Sequence, residues 1–126
     1  MKLLIADGST AHRRKIVQYM NYIPGLEIVG EAKRPTSLVR SFQRTRADVV
    51  VLDLASAGER DSVKTLKRLK EEEQAPFVIV LAPEGGKEAR RARYRRLGAD
   101  LVFDREQEID KTLDALEGLG QLTESN

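Results

Sequence analysis

The sequence contains no cysteine, which removes disulfides, thiol nucleophiles and thiolate metal sites together and leaves redox and zinc chemistry unsupported. It has a single histidine, His12. Histidine metal clusters and catalytic arrangements using several histidines are thereby excluded, and a triad built on one histidine finds no support. Set in the cationic stretch His12, Arg13, Arg14 and Lys15, this residue reads as an exposed helix position. No run approaches the roughly 20 apolar residues that cross a bilayer, and the amino terminus lacks a signal-peptide pattern, so a cytoplasmic chain without membrane contact is expected. The excess of one charge sign is small, +2 with a pI near 9.0. Any attraction to nucleic acid must therefore be local. Aromatics are 5% of the chain.

What is present suits one soluble α/β domain: 126 residues, 40% hydrophobic and 33% charged. The run at 49–54 sets apolar residues around one carboxylate, Asp53. Unbroken β-branched and leucine residues fit a strand buried on both faces, the condition of a central strand in a parallel sheet. Asp53 is then at its carboxyl end, the edge where open α/β sheets bind ligands. Similar strands are expected at 2–6, 26–29, 77–81 and 101–103. Helices are expected after Ser9 and Thr10, after Pro35, from a cap at Asp61 or Ser62, over 87–97, and around Ile109, Leu113 and Leu116. Residues 55–62 read as a loop, and Gly98 as a left-handed cap. Alternating strands and helices predict a three-layer doubly wound fold.

The helix at 87–97 crowds Lys87, Arg90, Arg91, Arg93, Arg95 and Arg96 against Glu88 alone. A solvated face is the plain reading of such a run. The sharper one is an interaction surface made of Arg90, Arg91, Arg93, Tyr94 and Arg95, with weak packing behind it. Gly85 and Gly86 before Lys87 lack the spacing of a phosphate loop.

With the strand ending at Asp7, the strand ending at Asp53, the segment Gly30-Glu31-Ala32 and Gly98-Ala99-Asp100, the chain resembles a response-regulator receiver domain over nearly its whole length. Residues 98–105 also look like single-domain receivers related to the receiver half of DNA-binding regulators. The resemblance implies a flavodoxin-like five-stranded sheet of order 2-1-3-4-5, a receiver domain over 1–119 and a polar tail over 120–126 with no effector domain. It implies phosphoryl transfer to Asp53, with Mg²⁺ held in part by two acids after the first strand. Here Asp7 matches the first acid and Gly8 the second, so Mg²⁺ held by Asp7 and Asp53 is expected to be weak. Ala82 stands where a hydroxyl residue is usual, Arg105 where a lysine is usual, Val102 at the aromatic switch position, and Ser56-Ala57 where a Met-Pro pair is usual. Arg105 has two readings of equal weight, a phosphate contact or a salt bridge to Asp53 or Asp7.

The function expected is an atypical single-domain receiver in two-component phosphorelay signalling. It would be a non-enzymatic adaptor for a histidine kinase or another signalling protein, or for a second copy of itself. The alternatives are an ordinary phospho-accepting receiver and, less favoured, a nucleic-acid module using the basic helix at 87–97.

Overall fold

A computed structural model describes residues 1–54 and 59–124. Its strands are β1 (Lys2–Ala6), β2 (Glu27–Ala32), β3 (Val49–Asp53), β4 (Phe77–Ala82) and β5 (Leu101–Asp104). The helices are α1 (Thr10–Met20), α2 (Leu38–Thr45, preceded by a 3-10 turn at Pro35–Ser37), α3 (Glu59–Glu71), α4 (Glu88–Arg96) and α5 (Ile109–Glu124). Every strand pairing is parallel, in the order β2-β1-β3-β4-β5. This is the doubly wound sheet that the sequence predicts. Parallel neighbours cannot be joined by hairpins, so each connection crosses a face of the sheet through a helix.

The two-residue period of the strands sorts the core into two layers. Leu4, Ala6, Val50, Leu52, Val78, Val80 and Val102 face one side, where Leu38, Phe42, Leu66, Leu69 and Tyr94 cover them. Leu3, Ile5, Val49, Val51, Ile79 and Leu81 face the other, under Ile16, Met20 and Leu116. All five residues of β3 are buried, so the strand has no solvent face and tolerates no alternation. Each fully buried Val, Leu or Ile contributes about 1.5–3 kcal/mol, which fixes the register from which the carboxyl edge is built.

At the opposite edge the segment Gly98-Ala99-Asp100 is structural. Gly98 has φ 118°, a left-handed conformation open to glycine after α4. Asp100 Oδ2 accepts from the Val78 amide and from Lys70 Nζ, both at 2.8 Å, tying β5 to β4 and α3.

Several boundaries differ from expectation. β2 extends to Ala32, pairing with Ala6 of β1. Helix α3 starts at Glu59, ahead of both expected caps, and Ser62 lies wholly buried within it. Most of the expected loop at 55–62, with Ser56 and Ala57, lies outside the described residues. Helix α5 runs through Gly118 and Gly120 to Glu124, where a tail from 120 was expected. Two helical glycines cost about 1 kcal/mol each, yet packing of Leu116 and Leu119 against the sheet outweighs local propensity. No helix among the described residues is long and apolar enough to cross a membrane.

Candidate functional site: an acid pocket closed by His12 and Arg105

The register of the central pair sets Ala6 beside Leu52, so the next residues, Asp7 and Asp53, emerge side by side at the carboxyl edge. Both are almost completely buried, at 1% and 2% exposure. Strand-like bonding continues past the strand ends: the Asp7 amide donates to Ala32 O at 2.9 Å and the Arg105 amide to Ala82 O at 3.1 Å. The second of these brings Arg105, just beyond β5, over the pocket.

Arg105 Nε lies 3.2 Å from both carboxylate oxygens of Asp53, and its Nη2 lies 4.0 Å from Asp7 Oδ1. Arg105 thus forms a salt bridge with Asp53. The second side chain to enter the pocket, His12, comes from α1. Ser9 caps this helix, its Oγ accepting from the His12 amide at 3.2 Å, while the Ser9 amide donates to Asp7 Oδ1 at 2.9 Å. Helical side chains lean toward the helix amino terminus, and that tilt aims the His12 ring back at the strand end. Its Nδ1 contacts Asp7 Oδ2 and lies 3.3 Å from Asp53 Oδ2, and its Nε2 lies 2.8 Å from the Arg105 carbonyl oxygen. Both ring nitrogens face oxygens of the pocket, so the ring is held at two points.

His12 is thus not the exposed helix residue expected from the sequence; its side chain is 10% exposed. The available signal was its spacing: a histidine five residues after the strand-end acid, in the first turn of a Ser-capped helix. Arg13, next to it, donates to the Asp7 carbonyl at 2.6 Å and to Glu31 Oε1 at 3.2 Å.

Asp7, His12 and Asp53 offer ligand atoms within 4.8 Å of one another, close enough to converge on one cation. The set does not fit Mg²⁺, which demands octahedral oxygen ligation and retains several waters. One of the three donors is nitrogen, Gly8 supplies no second acid, and all four carboxylate oxygens already meet an N–H of Ser9, His12 or Arg105. Among the described residues, Ser62 Oγ is the one buried side-chain polar atom without a hydrogen-bond partner, and it lies in α3. Among the described residues the pocket therefore leaves no buried polar side-chain atom waiting for an ion. Ala82 is wholly buried and its methyl group cannot donate a hydrogen bond; Val102 is likewise interior.

Beside the pocket, the β5–α5 junction is held by acids in loops. Asp104 Oδ1 accepts from the Glu106 and Gln107 amides at 2.9 and 2.8 Å. Glu108 Oε1 accepts from the Asp104 amide at 2.9 Å and from Arg91 at 2.8 Å, and Oε2 accepts from Lys111 at 3.0 Å. Burial disfavours the charged form of Glu108, but the Asp104 amide, Lys111 and Arg91 outweigh it and hold the carboxyl below its ordinary value of 4.5. Burial likewise opposes ionisation of Asp104, whose backbone donors prevail and lower it from 3.8. Groups lowered on folding contribute stability above their unfolded values and lose it as pH falls through the folded ones. In urea titrations, wild type is expected to lose more stability than Glu108→Gln when the pH is taken from about 5 downward. Parallel curves would remove Glu108 from the acid response.

The expected interaction surface on α4 is partly interior. Tyr94 is 2% exposed and packs in the core with Val102 and Ala99, its hydroxyl donating to Glu59 Oε1 at 3.0 Å. Burial first, and the neighbouring Glu59 carboxylate next, raise the phenol above its ordinary value. Tyr94 is therefore an anchor and not a surface residue, because a nine-residue helix with little other apolar surface needs one large side chain to dock. Arg91 is spent on Glu108, and Arg93 pairs with Glu59 at 2.8 Å while lying 5.7 Å over the Tyr94 ring. Among the described residues Arg90, Arg95 and Arg96 have no ion pair, so they carry the outward charge together with the exposed Arg93.

The comparisons agree with this architecture. A protein-glutamate methylesterase/protein-glutamine glutaminase of Halalkalibacterium halodurans is 32% identical over 80 residues, covering 64% of this chain and 23% of that protein. One from Koribacter versatilis is 28% identical over 117 residues, 90% of this chain and 31% of that protein. The chain thus spans less than a third of the length of these curated relatives. The response regulatory domain of protein mrkE from Klebsiella pneumoniae superposes with a TM-score of 0.82 at 17% identity, covering all of both chains. The response regulator domain of Thermotoga maritima CheB gives 0.77 at 17% identity, covering 97% of this chain and 94% of that one. At such identities the structures speak to the fold alone. Residues 3–117 match the model of the response regulator receiver domain, and the chain belongs to that family.

Proposed function

We propose that this chain is an atypical receiver of two-component signalling that acts as a protein-interaction adaptor, with Asp53 at the phospho-acceptor position and Mg²⁺-dependent phosphorylation weakened or lost. One observation carries the reading: both carboxylate oxygens of Asp53 are held by Arg105 Nε in a buried pocket. To attack a phosphodonor, Asp53 would have to release one oxygen from that contact. The incoming phosphoryl group also needs charge neutralisation and positioned donors, because phosphoryl transfer depends almost wholly on placement and electrostatics. Gly8 and Ala82 remove two of those helpers.

The output surface on this view is α4, whose guanidinium groups at Arg90 and Arg95, without an ion pair among the described residues, suit an acidic face on a histidine kinase or another signalling protein. We read the domain as a cytoplasmic module and not as an enzyme. The nucleic-acid alternative loses ground because Arg91 and Arg93 are already matched by acids.

The test is incubation with acetyl phosphate and Mg²⁺ followed by intact mass measurement. The expected spectrum shows the unmodified protein. Rapid stoichiometric phosphoryl addition, abolished in Asp53→Asn, would make this an ordinary receiver.

A further inference from the structure

The ring of His12 stands at the point where an ion bridging the two acids would have to sit. Its Nδ1 contacts Asp7 Oδ2 and is 3.3 Å from Asp53 Oδ2, so one nitrogen addresses one oxygen of each carboxylate. The ring is not free to swing away, because Nε2 is fixed 2.8 Å from the Arg105 carbonyl. That carbonyl belongs to the residue whose side chain holds Asp53, so one residue both closes the pocket and orients the imidazole. The backbone helps too: the Ser9 cap sets the first turn of α1 and thereby the position of His12.

Among the described residues one guanidinium and one imidazole meet the two buried carboxylates, and each of the four carboxylate oxygens already faces a nitrogen of the chain. A divalent cation entering this space would have to displace the ring and would meet Arg105 as a like charge.

We propose that the His12 ring, working with Arg105, is a built-in plug that occupies the place of a divalent cation and bars Mg²⁺ from the pocket. The inference rests on the reading of Asp7 and Asp53 as the family's acid pocket, and is independent of whether Asp53 accepts phosphate. It assigns to His12 a positioning and excluding role that Gly8 alone does not supply: a missing acid weakens a metal site, whereas a resident imidazole fills it.

The test uses no phosphodonor, so its outcome is separate from the phosphorylation experiment. Mn²⁺, a paramagnetic stand-in for Mg²⁺, is titrated into the isotope-labelled protein while backbone amide signals are followed by NMR. Wild type is expected to show no selective broadening at Asp7, Gly8, Asp53 and Arg105 at millimolar metal. Gly8→Asp alone is expected to bind weakly. The double variant Gly8→Asp with His12→Ala is expected to bind at least about tenfold more tightly than Gly8→Asp, with broadening confined to those amides. Should the alanine variant fail to fold, Gly8→Asp with His12→Gln keeps a neutral donor for Asp7 and gives the same comparison. Selective broadening in wild type, or equal affinity with and without His12, overturns the proposal. So does wild-type binding of Zn²⁺ that is lost in His12→Ala, since that would make His12 a ligand.

Discussion

Arg105→Met is expected to lower the unfolding free energy by about 3–5 kcal/mol, read from urea denaturation at neutral pH. The Arg105 side chain is 14% exposed and the two acids beneath it are 0% exposed at the side chain. Methionine fills much of the volume and keeps the packing of the stem, so the loss reports the charge. Without the guanidinium, Asp53 keeps the His12 ring 3.3 Å away, shared with Asp7, and two carboxylates press on each other in a space that water reaches poorly. Domains of this size have about 5–15 kcal/mol to lose, so the variant is expected to be close to unfolding at room temperature. In the Asp53→Asn background the same substitution is expected to cost much less, because the acid that needed Arg105 is gone. Equal costs in the two backgrounds would show that the pairing contributes nothing. Arg105→Lys should fall between, since it keeps the charge but replaces the planar fork with a point charge on a different stem.

Tyr94→Ala is expected to destabilise by about 3–5 kcal/mol, the range for emptying a large aromatic from a packed core. Tyr94 heads the largest fully buried side chains of the domain, and its ring is what attaches α4 to the sheet. Tyr94→Phe isolates the hydroxyl and is expected to cost about 0.5–1.5 kcal/mol. The low end is favoured because Glu59 Oε1 keeps Arg93 as a partner at 2.8 Å when the phenol is removed. Thermal and urea unfolding of both variants checks the ordering. If alanine proved as mild as phenylalanine, Tyr94 would not be the anchor of α4, and the helix would be held through its arginines.

These expectations also show where reading the chain succeeds and where it stops. The run at 49–54 announces a central strand because burial on both faces demands apolar residues without alternation, and the sheet order follows from the family that Asp7, Asp53 and residues 98–100 indicate. The pairing of Arg105 with Asp53 was visible as one of two readings. His12 was not visible as a pocket residue. Its neighbours Arg13, Arg14 and Lys15 make it look like one more cation on a wet face, and its partners lie 5 and 93 residues away. Periodicity reports which side of a helix is apolar and is silent about a polar side chain turned back over the first turn. Tyr94 failed for the opposite reason: surrounded by arginines, it carries too little apolar company to mark a buried stripe. The end of α5 was missed because glycine propensity is a weak local preference that tertiary packing overrode.

The place of β1 between β2 and β3 has a kinetic corollary. The two pocket acids come from strands separated by a whole α-β-α segment, so they meet only when a non-local pairing closes, the slow kind of event in folding. His12 reaches Asp7 within the same short stretch of chain and can make its contact early. Asp53 must wait for Arg105, which arrives with the edge strand from the far end of the molecule. The later half of the chain therefore supplies the guanidinium that closes the pocket over an acid which the first three strands have already set beside His12.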